Sequence, residues 1–268
     1  MKRYGNSFLC IGTALTLLLV LLTLLSIFWT PYDTAEMNPA EKMQPPSMAH
    51  IMGTDNFGRD IFSRVLQGMG MSMTIALCVV AIGSVAGGIL GALCGYFGGL
   101  PDLILTRICD SITAFPSVLL ALVIVSVVGS GTGQMIGALG VLFIPSFARV
   151  TRAEFARCRG QNYIQNAKLM GAGHGRIMLW HILPNTMQVL LPAIAIGFNN
   201  AILSEASMSY LGIGVQPPNA SLGLMLSDSQ IYLKSAPWYA ISVGLTIVLL
   251  ILGFSLIGEG LQQRSRRN

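Results

Sequence analysis

The stretch MSMTIALCVVAIGSVAGGILGALCGY, residues Met71 to Tyr96, contains no charged side chain. Coiled as an α-helix at 1.5 Å per residue, it is long enough to cross the roughly 30 Å hydrocarbon layer of a bilayer. Comparable runs occupy Phe8 to Trp29, Ile104 to Val128, Gln134 to Ala148 with an extension towards Arg152, Met187 to Leu211, and Trp238 to Ile257. Together they predict an all-α integral membrane protein with six transmembrane helices. The composition agrees: of 268 residues, 53% are hydrophobic and only 10% charged, against about 25% charged in soluble domains. The mean hydropathy is +0.67.

The first run follows Lys2 and Arg3, as the core of a signal peptide would. It is longer than the roughly 7–15 apolar residues of such a core and ends in Ile27-Phe28-Trp29 before Pro31, where cleavage needs small residues. It is read as an uncleaved anchor. The cysteines at 10, 78, 94, 109 and 158 form no C-x-x-C pair, so neither a disulfide framework nor a zinc site is expected.

The net charge of +5 reports orientation and not nucleic-acid binding, because the basic residues flank apolar runs without interleaved aromatics. With the chain starting in the cytoplasm, Lys2, Arg3, Arg107, Arg149, Arg152, Arg157, Arg159, Lys168, Arg176, Arg264, Arg266 and Arg267 fall inside. Only Lys42, Arg59, Arg64 and Lys234 fall outside. This positive-inside bias places both termini in the cytoplasm. An outer segment (Thr30 to Gly70), an inner loop (Ala153 to Thr186) and an outer loop (Ile213 to Pro237) join the spans. The expected organisation is an anchor with its outer segment, residues 1–70, followed by a membrane core, residues 71–268, with the inner loop at about 153–186.

No nucleotide site is expected. Gly53-Thr54-Asp55-Asn56-Phe57-Gly58-Arg59-Asp60 has the glycine spacing of a phosphate loop but Arg-Asp where Lys-Ser/Thr is required. Gly129-Ser130-Gly131-Thr132-Gly133 has no preceding strand and reads as a turn. His50, His174 and His181 form no ligand cluster, so no metal site is predicted, and His174 and His181 are expected to face solvent or headgroups. Within the spans, Arg107 and Asp110 are expected to pair along one helix face. Glu205 is the more informative charge, since a carboxylate at a helix centre costs about 2.5–3.5 kcal/mol on insertion scales and normally faces a cavity. It sits in Ser204-Glu205-Ala206-Ser207-Met208-Ser209. Ser204, Glu205, Ser207 and Met208 are therefore candidates for a solute path or a subunit contact.

The inner loop carries two short helical stretches around a glycine-rich bend, Gly171 to Gly175. Tyr163, Ala167 and Met170 recur at i, i+4, i+7 and form a small apolar face. A cytoplasmic partner or the membrane surface would cover it. A secondary transporter would show intramembrane charges and repeat symmetry, and a membrane enzyme a catalytic set at one depth; neither pattern is evident.

Gln165-Asn166-Ala167, Gly171 and Leu183-Pro184 resemble the EAA loop, E-A-A-x3-G-x9-I-x-L-P, of permease subunits in ABC importers. The outer residues Gly53 to Arg64, with His181-Ile182-Leu183-Pro184-Asn185 and Ser209-Tyr210-Leu211-Gly212-Ile213-Gly214-Val215-Gln216-Pro217-Pro218, resemble the second permease subunit of dipeptide, oligopeptide and nickel importers. The resemblance implies a type I importer permease (MetI-like) fold in the cytoplasmic membrane of a prokaryote. It implies a related permease as partner, two ATPase subunits carrying ATP and magnesium, an outer solute-binding protein, and no cofactor on this chain. It marks Tyr163, Gln165, Asn166, Ala167, Met170, Gly171 and Ala172 as an ATPase-coupling helix, and Gly53, Thr54, Asp55, Gly58, Arg59 and Asp60 as an outer-face motif. Gln165 and Asn166 depart from the Glu-Ala of the pattern. Peptide is the expected solute, nickel or a metal chelate the alternative.

Overall fold

The computed structural model describes residues 4–265; Lys2, Arg3, Arg266 and Arg267 lie outside the described residues. The helices are α1 (Tyr4–Phe28), α2 (Ile61–Phe97), α3 (Gly99–Thr113), α4 (Ser117–Val128), α5 (Thr132–Arg159), α6 (Asn162–Leu169), α7 (His174–Arg176), α8 (Leu183–Tyr210), α9 (Leu222–Gln230) and α10 (Pro237–Ser265). Among the described residues five helical rods are long and apolar enough to cross a membrane, and six if the bent pair α3 and α4 counts as one span.

That pair corrects the expectation of one continuous helix from Ile104 to Val128: its halves meet at 88°. Pro116 supplies the cause. It has no N–H to continue the ladder and disfavours helical geometry at Phe115, so α3 stops at Thr113 and α4 restarts at Ser117. The bend lays α3 beside the Arg149–Arg152 part of α5 and changes its ion pairs. Asp102 binds the guanidinium of Arg152, with Nη2–Oδ2 at 2.7 Å, and Asp110 lies 3.6 Å from Arg149. The expected Arg107–Asp110 pair is not among the ion pairs of the described residues.

Other spans are longer than their apolar cores. Asp60 caps α2 by accepting from the Ser63 N–H at 2.7 Å, so the helix begins at Ile61, and one rod runs through residues 70 and 71 without a break. The fourth span continues as helix to Arg159. The inner loop shrinks further because α7, a π-helical turn (Ile177–Ile182) and α8 stack as one rod, His174–Tyr210. Pro184 explains the π turn: it cannot donate to the Trp180 carbonyl and its ring crowds that oxygen, and the ladder widens so that the Leu183 N–H bonds Met178.

The core is the α2–α5 contact, built on a feature that hydropathy alone does not reveal. Gly83, Gly87, Gly91 and Gly95 recur every fourth residue and so share one face of α2. A Cβ at Gly87 would stand 2.6 Å from the Ile144 carbonyl oxygen, and those at Gly91 and Gly95 would overlap the carbonyls of Ala148 and Arg152. The two backbones touch. Small residues at such spacing let membrane helices pack without help from the hydrophobic effect. Val79, Leu139, Ala201, Ile202, Tyr239 and Leu250 complete the buried centre.

Candidate functional site

Three helices meet at a hollow of about 470 Å³ formed by α4, α5 and α8, a volume in the range of small-ligand pockets. Its polar wall is Ser117, Ser146, Asn200 and Ser204, and its apolar wall includes Phe143, Phe147 and Leu203. A larger crevice of about 1030 Å³ between α1, α2, α8 and α10 is lined chiefly by apolar side chains such as Leu24, Met71, Ile194 and Phe254.

The helical period of α8 separates the expected path residues. Ser204 lines the smaller hollow. Ser207 faces another hollow, between α8, α9 and α10. Glu205 and Met208 are fully buried within the subunit, and for these two the expectation of a wall position gives way to burial. Residues 201, 205 and 208 share the face turned to α2 and α9, while 200, 203 and 207 share another. Ser209 Oγ donates to Glu205 Oε1 at 2.8 Å and accepts from the Val215 N–H at 3.1 Å. The hydroxyls of Ser72 and Ser221 lie near the same carboxylate, and Ser72 Oγ accepts from the Leu222 N–H at 3.3 Å. Glu205 thus sits where the outer loop is tied down.

The end of the bundle around Tyr96 and Phe155 is organised by α6. Ile164 and Ala167 are its buried residues, so of the expected Tyr163–Ala167–Met170 stripe only Ala167 is buried, and Ile164 is its companion. Ile164 packs with Tyr96 of α2, Phe155 and Cys158 of α5, and Ile177 and Ile182 of the π turn. Asn185 Nδ2 donates to the Tyr163 hydroxyl at 3.1 Å. His174 is exposed, as expected, and shares a hydrogen bond of 2.8 Å with Tyr96. Burial pushes the Tyr163 phenol above its ordinary range, with the Asn185 bond acting in the opposite sense.

Beyond this anchored side, α6 offers an unpartnered one. Leu169 and Met170 are 86% and 83% exposed, Tyr163 is partly exposed, Gln165 and Asn166 are exposed and Ala172 is half-buried. Gly171 ends the helix with φ +79°. The N–H groups of Gly171 and Ala172 bond back to the carbonyls of Lys168 and Ala167 at 3.0 Å each, the paired bonds of a Schellman cap. No atom lies within 4 Å of where a Cβ would stand.

The outer-face motif is a buried knot. Thr54, Asp55, Arg59 and Asp60 are all buried. Asp55 Oδ1 accepts from the N–H groups of Phe57 at 2.8 Å and Arg59 at 3.0 Å. Its Oδ2 accepts from Arg59 Nε at 2.7 Å, and Arg64 Nε stands 3.6 Å away. His50 Nδ1 is 2.9 Å from Asp60 Oδ1. Gly58 has φ +77°, and a Cβ there would overlap the Asn38 carbonyl; Gly53 is buried alongside it. Burial pushes the nearby Asp228 carboxyl up, opposed by Arg64 and Arg59. Arg64, outside the expected motif, is the member that sequence spacing missed; its place within the apolar turn starting α2 was the available signal.

A family model described as binding-protein-dependent transport system inner membrane component matches residues 87–267. The chain is 37% identical over 257 residues to a dipeptide transport system permease protein of Alkalihalophilus pseudofirmus, covering 96% of this chain and 84% of that one. It is 38% identical over 250 residues to a glutathione transport system permease protein of Pectobacterium atrosepticum, covering 91% and 83%. The solved structure of an amino acid ABC transporter with histidines superimposes with a TM-score of 0.56 at 21% identity, over 77% of this chain and 95% of that one, a likeness of fold. With a family match over most of its length and the bundle and kinked span just described, this chain belongs to the family of binding-protein-dependent transport system inner membrane components.

Proposed function

We propose that this chain is one permease subunit of an ATP-driven peptide importer, paired with a related permease, fed by an outer solute-binding protein and driven by two cytoplasmic ATPase subunits. ATP and magnesium belong to those ATPases, and this chain carries no cofactor of its own. The relatives named for dipeptide and glutathione favour peptide over nickel or a metal chelate. Both termini and α6 face the cytoplasm on the positive-inside count, and the Gly53–Asp60 knot faces outward.

The observation that carries this reading is the two-sidedness of α6. Its Ile164 side is locked to the inner ends of α2, α5 and the rod ending in α8, while Leu169 and Met170 are bare. An ATPase gripping the bare side would move the helices that wall the hollow as one set. Met170→Asp with Leu169→Asp would place two charges in that contact. The variant subunit reaches the membrane, but ATPase co-purification and peptide uptake are lost. Retention of both overturns the coupling role. Orientation is checked in intact cells with an impermeant thiol reagent: Met48→Cys, at a fully exposed position, labels above the parent chain, and Gln262→Cys does not.

A further inference from the structure

Each of the three helices around the 470 Å³ hollow carries a proline immediately before one of its lining residues: Pro116 before Ser117, Pro145 before Ser146, and Pro192 before Ala193. Pro145 and Pro192 each remove an N–H from a helical ladder and leave a carbonyl four residues earlier without its usual donor, and Pro116 stands in the break between α3 and α4. Three interruptions converging on one place would be costly against lipid. Irregular backbone at membrane depth is tolerated where it is buried in protein or borders a water-filled cavity.

The polar side chains point to the same conclusion. Several hydroxyls elsewhere in the spans donate to their own helix: Ser126, Ser207 and Thr246 each bond the carbonyl four residues back, at 2.7–2.8 Å, whereas those of Thr16 and Thr151 are buried without a partner. Ser117, Ser146 and Ser204 make no such bond among the described residues, although Ser204 is 92% removed from solvent, its exposure being 8%. Asn200 is exposed near the middle of the span Met187 to Leu211 and makes no hydrogen bond among the described residues. Four neutral groups that both donate and accept therefore border one hollow, and no charged residue lines it.

We propose that Ser117, Ser146, Asn200 and Ser204 form a solute-contact site inside the permease that takes the peptide backbone through its amides and does not read side-chain charge. Backbone N–H and C=O are the one pair of groups every peptide presents, and hydroxyl and carboxamide groups pair with either. A lining without charge imposes no Coulombic preference between acidic and basic peptides, leaving that choice to the binding protein. The site deepens the peptide-importer reading and rests on it.

The test uses the complete importer containing this chain, in proteoliposomes, with Ala-Lys, Ala-Glu and glutathione as probes. Asn200→Asp introduces one carboxylate into the hollow, and attraction for one probe with repulsion of the other separates them. The Ala-Lys to Ala-Glu uptake ratio rises about tenfold over that of the unmodified importer, which corresponds to about 1.4 kcal/mol. Asn200→Leu lowers uptake of both alike, with ATPase co-purification unchanged. An assembled, transporting Asn200→Asp importer with the parent ratio overturns the site. Should the Asn200 variants fail to assemble, Ser146→Cys decides: it labels above the parent chain with a small thiol reagent and is protected by transported peptide, and an absence of labelling or of protection overturns the site equally. Failure of the unmodified importer to take up any of the three probes overturns the peptide reading itself.

Discussion

Gly91 of α2 lies directly against the carbonyl oxygen of Ala148 in α5, so that the first atom of any side chain at 91 would occupy the space of that oxygen. The neighbour is backbone and cannot swing aside. Gly91→Ala is therefore expected to force the helices apart, at about 1–3 kcal/mol for overpacking of this kind. Gly88, one helical step away, meets nothing within 4 Å. Gly88→Ala is neutral or slightly stabilising, since Ala is the better helix former by about 1 kcal/mol. Thermal unfolding in detergent checks the contrast, and equal midpoints for the two variants would refute the close contact.

Asp55 has no solvent-exposed surface and holds Arg59 and two backbone N–H groups. Asp55→Asn removes the charge and leaves buried Arg59 and Arg64 without their counter-ion, a loss of about 3–5 kcal/mol by the precedent of broken buried pairs. The expected result is faster proteolysis of the 30–60 segment in right-side-out vesicles, with the spans still inserted. Arg59→Lys keeps the backbone bond and the charge but loses the guanidinium Nε–H bond to Asp55 Oδ2, so it is expected to loosen the knot less than Asp55→Asn does. Protease resistance equal to the parent in Asp55→Asn contradicts the structure.

At Glu205 the outcome depends on hydrogen bonding and not on size. Glu205→Gln keeps an acceptor for Ser209 Oγ, so the subunit inserts and stays folded. Glu205→Leu leaves that hydroxyl and its neighbours Ser72 and Ser221 facing an apolar group, at about 1–3 kcal/mol for each buried group left unsatisfied. Limited proteolysis within residues 211–221 should rise for Leu and not for Gln; indistinguishable digestion would remove Glu205 from its role in holding the loop.

Gly171 separates two explanations of the same glycine. Its φ of +79° costs other L-residues roughly 1–2 kcal/mol, with Asn the best tolerated. If backbone geometry sets the requirement, ATPase association ranks Gly171, then Gly171→Asn, then Gly171→Ala. A tight protein groove over the position would reverse the last two, since Asn is the larger. Quantitative co-purification of the three complexes gives the order.

The family and the apolar runs were legible in the sequence because each rests on a local property: hydropathy over a span length or a short motif. The α2–α5 contact was legible too, in glycines at 83, 87, 91 and 95, although hydropathy passes over them. Pro116 likewise announced the break that a sliding window smoothed into one span. Sequence periodicity placed Tyr163, Ala167 and Met170 on one face of α6, yet Ile164 is the residue driven inwards, because burial is decided by Tyr96, Phe155 and Ile177 arriving from elsewhere in the chain.

By itself, then, the sequence determined that this chain lives in a membrane, how often it crosses and to which family it belongs, since lipid solvation and helix length act residue by residue along the chain. Which polar residues face a hollow and which tie the subunit together was decided only by the tertiary structure. Ser204 and Glu205 are adjacent in sequence and both polar. The turn of α8 sends Ser204 to the cavity with Asn200 and buries Glu205 against Ser209, because the 100° between successive residues becomes a difference in environment only once neighbouring helices occupy their places.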